Sequence, residues 1–296
     1  MKPLVGSFGV VMEIKRNGNS KCIAIGLSKN MTFALGTLLL NLKSLGMTLD
    51  TDVIVFHNGI SHNQQEIMSS IATCVFVPYK SPFKSPRVKL SRSVRRFTPM
   101  VFSKYEAFQL LDKYESVMWL DYDICILSSI DYLWNSPSEA LTILIADNRV
   151  GDSFYGDISG YDMNISGVAT GLFIVKRGIG DFSNFYNWCI TMTKKHIDNL
   201  YLPEQGIFNL LVENFRLPLK PLDISVYAAH PSEKNKKSVV IHSWGQPKFW
   251  NGHQNENWEK YYRIWKSLGG ESYVPSKENM PRHLRYTYAL FDRIVK

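Results

Sequence analysis

Two short stretches of this 296-residue chain carry residue types that could do chemistry together. The first, "MWLDYDICI" (118–126), places Asp121 and Asp123 inside an otherwise apolar run. Burying an unpaired carboxylate costs several kcal/mol or more. The pair must therefore lie on a wet face or share a cation. In a strand, positions i and i+2 project to the same side. Trp119, Asp121, Asp123 and Cys125 would then share one face, and Met118, Leu120, Tyr122, Ile124 and Ile126 the other. The second stretch, "VVIHSWGQPKFWNG" (239–252), contains His242, Gly245, Lys248 and Trp250. A neutral imidazole joins carboxylates around manganese, a glycine lets backbone approach phosphate, and a lysine neutralises it. Taken singly, D-x-D arises often by chance in a polar edge strand, and a lone histidine at a strand end is usually structural. Together they predict a divalent cation that anchors a diphosphate.

These residues need a scaffold, and the intervening chain reads as alternating strands and helices. "CIAIGL" (22–27), "DVIVFHNG" (52–59), "CVFVPY" (74–79), "SVMWLDYDICIL" (116–127), "LTILIADN" (141–148) and "GVATGLFIVKR" (167–177) read as strands. "FALGTLLLNLKSLG" (33–46), "HNQQEIMSSIA" (62–72), "MVFSKYEAFQLLDKY" (100–114) and "FSNFYNWCITMTKKH" (182–196) read as helices, the first closed by Gly46. This alternation predicts an α/β fold with a mostly parallel sheet covered on both faces. Ligands then bind at the carboxyl ends of the strands. At the amino terminus, "GVVMEIKR" and "SKCIAIGL" flank Asn17-Gly18, a hairpin signature. We expect one domain over 1–296: a hairpin extension (1–21), a catalytic core (22–252) and a helical tail (253–296).

The ordered blocks resemble the retaining glycosyltransferases of family 8, which include glycogenin and bacterial lipopolysaccharide galactosyl- and glucosyltransferases. The resemblance covers about Cys22 to Gly252. It rests on "FSKYEAFQLLDKYESVMWLDYDICILSSIDYLW", "ATGLFIVKR", "PEQGIFNLL" and "HSWGQPKFW". It implies a GT-A fold, a UDP-sugar donor (UDP-glucose, UDP-galactose or a relative), and Mn2+, or another divalent cation such as Mg2+, held by Asp121, Asp123 and His242. It places Lys104, Tyr122, Gly245 and Lys248 against the donor nucleotide or its diphosphate. Phe33 falls where the family often has a tyrosine beside uracil, although ordinary core packing explains it equally well. Asp147 and Gln205 match positions facing the transferred sugar, and Thr170, Gly171 and Glu204 lie on that same side. Three departures affect the pattern: Ala169 stands for an asparagine, Glu204 for an aspartate, and Phe249 for a proline. The first leaves a sugar or acceptor contact missing, or supplied by Thr170 or Asn164. The first two leave the donor sugar open.

The net charge of +8 favours anionic partners without choosing among nucleotides, lipid headgroups and nucleic acid. The resemblance points to the nucleotide, so no nucleic acid is expected. Seven basic residues crowd "KSPFKSPRVKLSRSVRRF" (80–97), and no acid occurs between Glu66 and Glu106. That segment reads as a solvated loop, a lid over the nucleotide, or a nucleic-acid or membrane patch. "MPRHLRYTYALFDRIVK" (280–296) reads equally as a packed helix or a peripheral membrane contact beside a lipid-linked acceptor. Four scattered cysteines without framework spacing predict reduced thiols and a cytoplasmic setting. Acceptors would be a glycan, glycolipid or protein, and a homodimer is left open. Two other classes fit less well. A nucleotidyltransferase needs a further metal carboxylate and a glycine-serine phosphate motif, and a non-catalytic sugar- or nucleic-acid-binding protein of the same fold is left open by Ala169 and the +8 charge.

Overall fold

The computed structural model describes residues 14, 18–89 and 91–275, so the amino-terminal hairpin and the 280–296 segment lie outside the described residues. The chain runs β1 (Lys21–Leu27), α1 (Thr32–Ser44), β2 (Asp52–His57), α2 (His62–Ile71), β3 (Cys74–Pro78), and the short helices α3 (Pro86–Lys89) and α4 (Arg92–Phe97). After a helical run through residues 99–112, whose one α-helical turn is α5 (Glu106–Gln109), come β4 (Ser116–Leu120), β5 (Ile124–Ile126), β6 (Leu141–Arg149), β7 (Ser166–Lys176), α6 (Phe182–His196) and α7 (Pro203–Phe215). The described chain closes with β8 (Leu219–Asp223), α8 (Ile224–Tyr227), β9 (Val240–His242) and α9 (Glu256–Ser267).

Seven strands form one sheet in the order β3-β2-β1-β4-β7-β6-β8, and β5 pairs with β9 in a second. In the large sheet β1–β2, β1–β4, β2–β3 and β6–β8 are parallel, while β4–β7 and β6–β7 are antiparallel. The expected mixed, mostly parallel α/β sheet is the one found. Alternate residues of β1 enter different cores, as the pleat requires: Cys22 and Ala24 join Phe102, Phe108 and Phe208 on one face. Ile23, Ile25 and Leu27 join Leu35, Leu39 and Trp265 on the other.

Two expectations need correction. The run 116–127 is not one strand. β4 stops at Leu120, Asp121–Asp123 make a turn, and β5 leaves for a different sheet. A continuous strand would have carried both carboxylates onward through the sheet without partners, whereas the turn delivers them to its edge. The segment 100–114 is not one α-helix but a 3₁₀ stretch (Pro99–Tyr105), a single α turn (Glu106–Gln109) and a second 3₁₀ turn (Leu110–Asp112). Its tight winding seats Ser103 so close to β1 that a Cβ on Gly26 would lie 2.0 Å from Ser103 Oγ. Residues 256–267, within the segment expected to be a helical tail, form α9. α9 packs on α1, where Trp265 lies 2.2 Å from where a Gly36 Cβ would stand. All four cysteines are free, and among the described residues no helix is long and apolar enough to cross a membrane.

Candidate functional site

The site forms where the ladder of β4 ends. Asp121 N–H still donates to Gly171 O at 2.9 Å, which extends the pairing with β7 by one residue before the chain turns. Trp119, two residues earlier, donates its indole N–H to Asp121 Oδ1 at 3.0 Å and fixes that carboxylate. The i, i+2 relation expected for these two therefore holds, while Asp123 is placed by the turn. The turn is fastened from both sides. Ser243 donates its N–H and hydroxyl to Asp123 O at 3.0 and 3.2 Å. Behind it, buried Asn41 of α1 makes a two-way bridge to Ile126, donating to O at 2.9 Å and accepting from N–H at 2.7 Å.

β9 brings His242 opposite Ile124 in register. Its Nε2 lies 3.1 Å from Asp123 Oδ1 and 3.8 Å from Asp121 Oδ2. One ligand atom from each of Asp121, Asp123 and His242 lies within 4.8 Å of the others. Gly171 sits directly beneath the imidazole: a Cβ there would fall 2.5 Å from His242 Cε1 and 2.7 Å from Nδ1. The glycine is a cradle for the ring, a role distinct from the sugar contact expected for it. Two carboxylates and an imidazole suit manganese or magnesium, and the cradle holds the imidazole in place, so these residues fit a divalent cation.

Two lysines complete the charge pattern. Lys248 pairs with Asp123. Burial pushes the Asp123 carboxyl up, but Lys248 and then His242 outweigh it and hold it well below the usual carboxylate range. Lys104 is 7% exposed and bridges Asp121 at 3.0 Å and Glu204 at 2.9 Å. Burial disfavours its charge, yet Asp121 and Glu204 more than offset that and raise its pKa. Lys104 also donates to Thr170 Oγ1 at 3.3 Å, and Thr170 donates to Glu204 at 3.2 Å. Thr170 and Glu204, expected on the sugar side, are thus joined to the metal-ligand candidates through one ammonium. Counting Asp121, Asp123 and Glu204 against Lys104 and Lys248, with the imidazole neutral, leaves one net negative charge. A divalent ion would turn that to one net positive, a value suited to a diphosphate.

The remaining candidates divide. Gln205 follows Glu204 in the first turn of α7 and is partly exposed; among the described residues its side-chain amide has no hydrogen-bond partner. Asp147 is exposed near the end of β6, likewise without a described partner. Gly245 has φ +72 in the exposed loop after β9, a conformation that favours glycine. Tyr122 lies with its ring 6.3 Å from that of Trp250, nearly parallel. Phe33 is 1% exposed, enclosed by Trp250 at 5.2 Å and Tyr273 at 5.3 Å. Core packing is therefore the role its position shows, and a base could reach its ring only by displacing those neighbours. Asn41, Trp119 and Ser243 were not anticipated. A polar asparagine within "LLLNLK" is the one such signal the sequence offered.

The model of the family described as "Glycosyl transferase family 8" matches residues 22–254. Among solved structures, the galactosyltransferase LgtC in complex with donor and acceptor sugar analogs is similar, with TM-score 0.64 and 13% identity. That match covers 86% of this chain and 98% of that one. The bifunctional glycosyltransferase WbbM gives TM-score 0.66 at 11% identity, covering 86% of this chain and 52% of that one. GlyE of Streptococcus pneumoniae gives TM-score 0.58 at 14% identity, covering 88% and 66%. No curated protein sequence matches. The family match spans the sheet, the D-x-D turn and the histidine loop alike, and the chain belongs to glycosyltransferase family 8, an enzyme on a GT-A-like α/β fold.

Proposed function

We propose that this protein transfers a hexose from a UDP-sugar to an acceptor hydroxyl with retention of configuration, in a reaction that requires manganese or a similar divalent cation. The observation that carries the reading is the convergence of Asp121, Asp123 and His242, from chain positions more than a hundred residues apart, within 4.8 Å of one another. Asp121, Asp123 and His242 would hold the ion. When bound, it would stabilise negative charge on the departing diphosphate as a Lewis acid.

The chain's own residues account for the rest. Lys248, on the loop after β9, supplies positive charge to the diphosphate. Lys104 orients Asp121 and Glu204 as one unit, bridging the two carboxylates. The free amide of Gln205 stands at the start of α7, beside Glu204. There it can face the anomeric carbon of the transferred sugar without a committed nucleophile's charge. Asp147, exposed near the end of β6, can accept hydrogen bonds from sugar hydroxyls. Departure of UDP and capture by the acceptor on the same face would retain configuration. Neither Gln205 nor Asp147 pairs with a second carboxylate in the manner of a retaining glycosidase, so no covalent glycosyl-enzyme is invoked.

The test is release of UDP from UDP-glucose and UDP-galactose with and without MnCl2. Wild-type protein should release UDP only with the metal, and Asp123→Ala and His242→Ala should lose most of that activity while melting cooperatively. Full metal-dependent release by Asp123→Ala would refute the assignment.

A further inference from the structure

The basic segment 80–97 is neither a bare loop nor used by the chemistry above. It folds into α3 and α4 and is tied to the rest of the chain at three points. Arg87 pairs with Asp198 at 2.6 Å. The Arg92 guanidinium lies 4.9 Å from the ring centre of Tyr155, and that of Arg96 lies 4.8 Å from the ring centre of Tyr201. The two tyrosines touch each other edge-to-face, with ring centres 5.4 Å apart. Backbone bonds join their strands of chain: Tyr155 N–H donates to Asn199 O, and Tyr201 N–H to Ser153 O.

This position is close along the chain to Glu204 and Gln205, the residues proposed to face the transferred sugar. Tyr201 precedes Glu204 by three residues, at most about 11 Å of chain, and Glu204 and Gln205 open α7. At its other end the segment leads to Thr98, whose Oγ1 lies 3.5 Å from Ser28 Oγ just past the carboxyl end of β1. The segment thus runs from the residue just past β1 to the residues just before α7.

The charges there are unspent. A guanidinium stacked on a ring uses its face and leaves its N–H edges outward, the edges that grip phosphate or carboxylate in a two-pronged contact. Among the described residues, Arg92 and Arg96 make no ion pair and no hydrogen bond. Arg95, between them in sequence, is exposed and equally unpaired. The donor's diphosphate does not account for them, because its candidate partners, Lys248, His242, Asp121 and Asp123, gather around the β5–β9 pair. The arginines lie instead over Tyr155 and Tyr201, the second of them two residues before α7.

We propose that Arg92 and Arg96, set on Tyr155 and Tyr201, form an acceptor subsite that selects an anionic saccharide, one bearing a phosphate or carboxylate on or next to the accepting sugar. The tyrosine rings give a platform for the apolar face of a sugar, and the guanidinium edges bind the charge. This rests on the transferase reading for what the subsite serves, but its binding can be read without transfer.

The experiment titrates full-length protein, at low salt and without donor, with glucose, glucuronic acid and glucose 6-phosphate, by ligand-observed NMR. Both charged sugars should bind at least tenfold tighter than glucose. Arg92→Gln/Arg96→Gln should erase that preference, and Arg92→Lys/Arg96→Lys, which keeps charge without the two-pronged geometry, should retain part of it. A thermal melt of each variant separates loss of the subsite from loss of the fold. Preference for only one charged sugar would still support the subsite and identify the source. Equal affinity for charged and neutral sugars would overturn the proposal. It would also be overturned by a preference untouched in the glutamine variant, by an equal loss of UDP affinity there, or by loss of binding to phosphatidylglycerol vesicles without any saccharide preference. UDP release by wild type, measured separately, reports on the transferase reading alone.

Discussion

Gly171→Ala is the most direct probe of the candidate metal site, because it adds one methyl group at a position with no freedom. The new Cβ would lie 2.5 Å from His242 Cε1 and 2.7 Å from Nδ1. Ordinary contact begins near 3.4 Å, so the ring must retreat by about 0.9 Å, whereas metal–ligand distances tolerate only about 0.2 Å. β7 cannot yield instead. Gly171 O accepts the Asp121 N–H at 2.9 Å, and Leu172 is paired with Leu120. The expected result is a 10–100-fold loss of Mn2+ affinity, the range seen when a metal ligand's support is removed, or about 1.4–2.7 kcal/mol. Overpacking should cost stability as well, about 1–3 kcal/mol. Calorimetric titration of MnCl2 into the folded variant reads the first, and thermal melting the second. Gly156→Ala, whose added Cβ meets nothing within 4 Å, is the control and should match wild type in both. Wild-type manganese affinity in Gly171→Ala, with the protein folded, would show that His242 is not a ligand.

Two further outcomes follow from buried charge. Burial pushes the Glu106 carboxyl up from 4.5 to about 7, only partly relieved by the Tyr186 hydroxyl. A raised folded-state pKa means that the native state holds the extra proton. Stability is then complete below about pH 4.5 and falls as pH rises to about 7, by roughly 3 kcal/mol at most. Glu106→Gln should therefore melt like wild type near pH 4 and several degrees higher above pH 7; no difference across that window would contradict it. Lys104→Met leaves Asp121 and Glu204 without their shared cation and should cost about 3–5 kcal/mol in chemical denaturation. Adding Glu204→Met should recover part of the stability and none of the UDP release.

The layered α/β fold was legible because its strands are short apolar runs and its long helices carry clear stop signals. Gly46, at φ +75, ends the turn after α1 as the pattern implied. What misled was continuity of composition. "SVMWLDYDICIL" is apolar enough to read as one strand, and only pairing partners reveal the break: β4 finds β7 and β5 finds β9. The 99–112 run failed for a related reason. It is buried on almost every side, and no amphipathic period distinguishes a regular helix from a tight 3₁₀ winding held under β1.

The site shows the same division between residue type and placement. Asp121, Asp123, His242 and Lys248 could be singled out because their chemistry is conspicuous in apolar or glycine-rich settings. Their supports could not. Trp119 and Asn41 look like core residues and are core residues, yet one donates to Asp121 and the other fastens the strand after Asp123. Lys104 shows how far placement can change a role. As a lysine in a helical segment its default is the solvated surface, but here it is buried between two carboxylates, one from the turn after β4 and one from α7. That arrangement ties the candidate metal ligands to the proposed sugar side through a single ammonium. A change to either carboxylate therefore alters the field at the other, and donor-sugar preference and metal affinity in this chain should vary together.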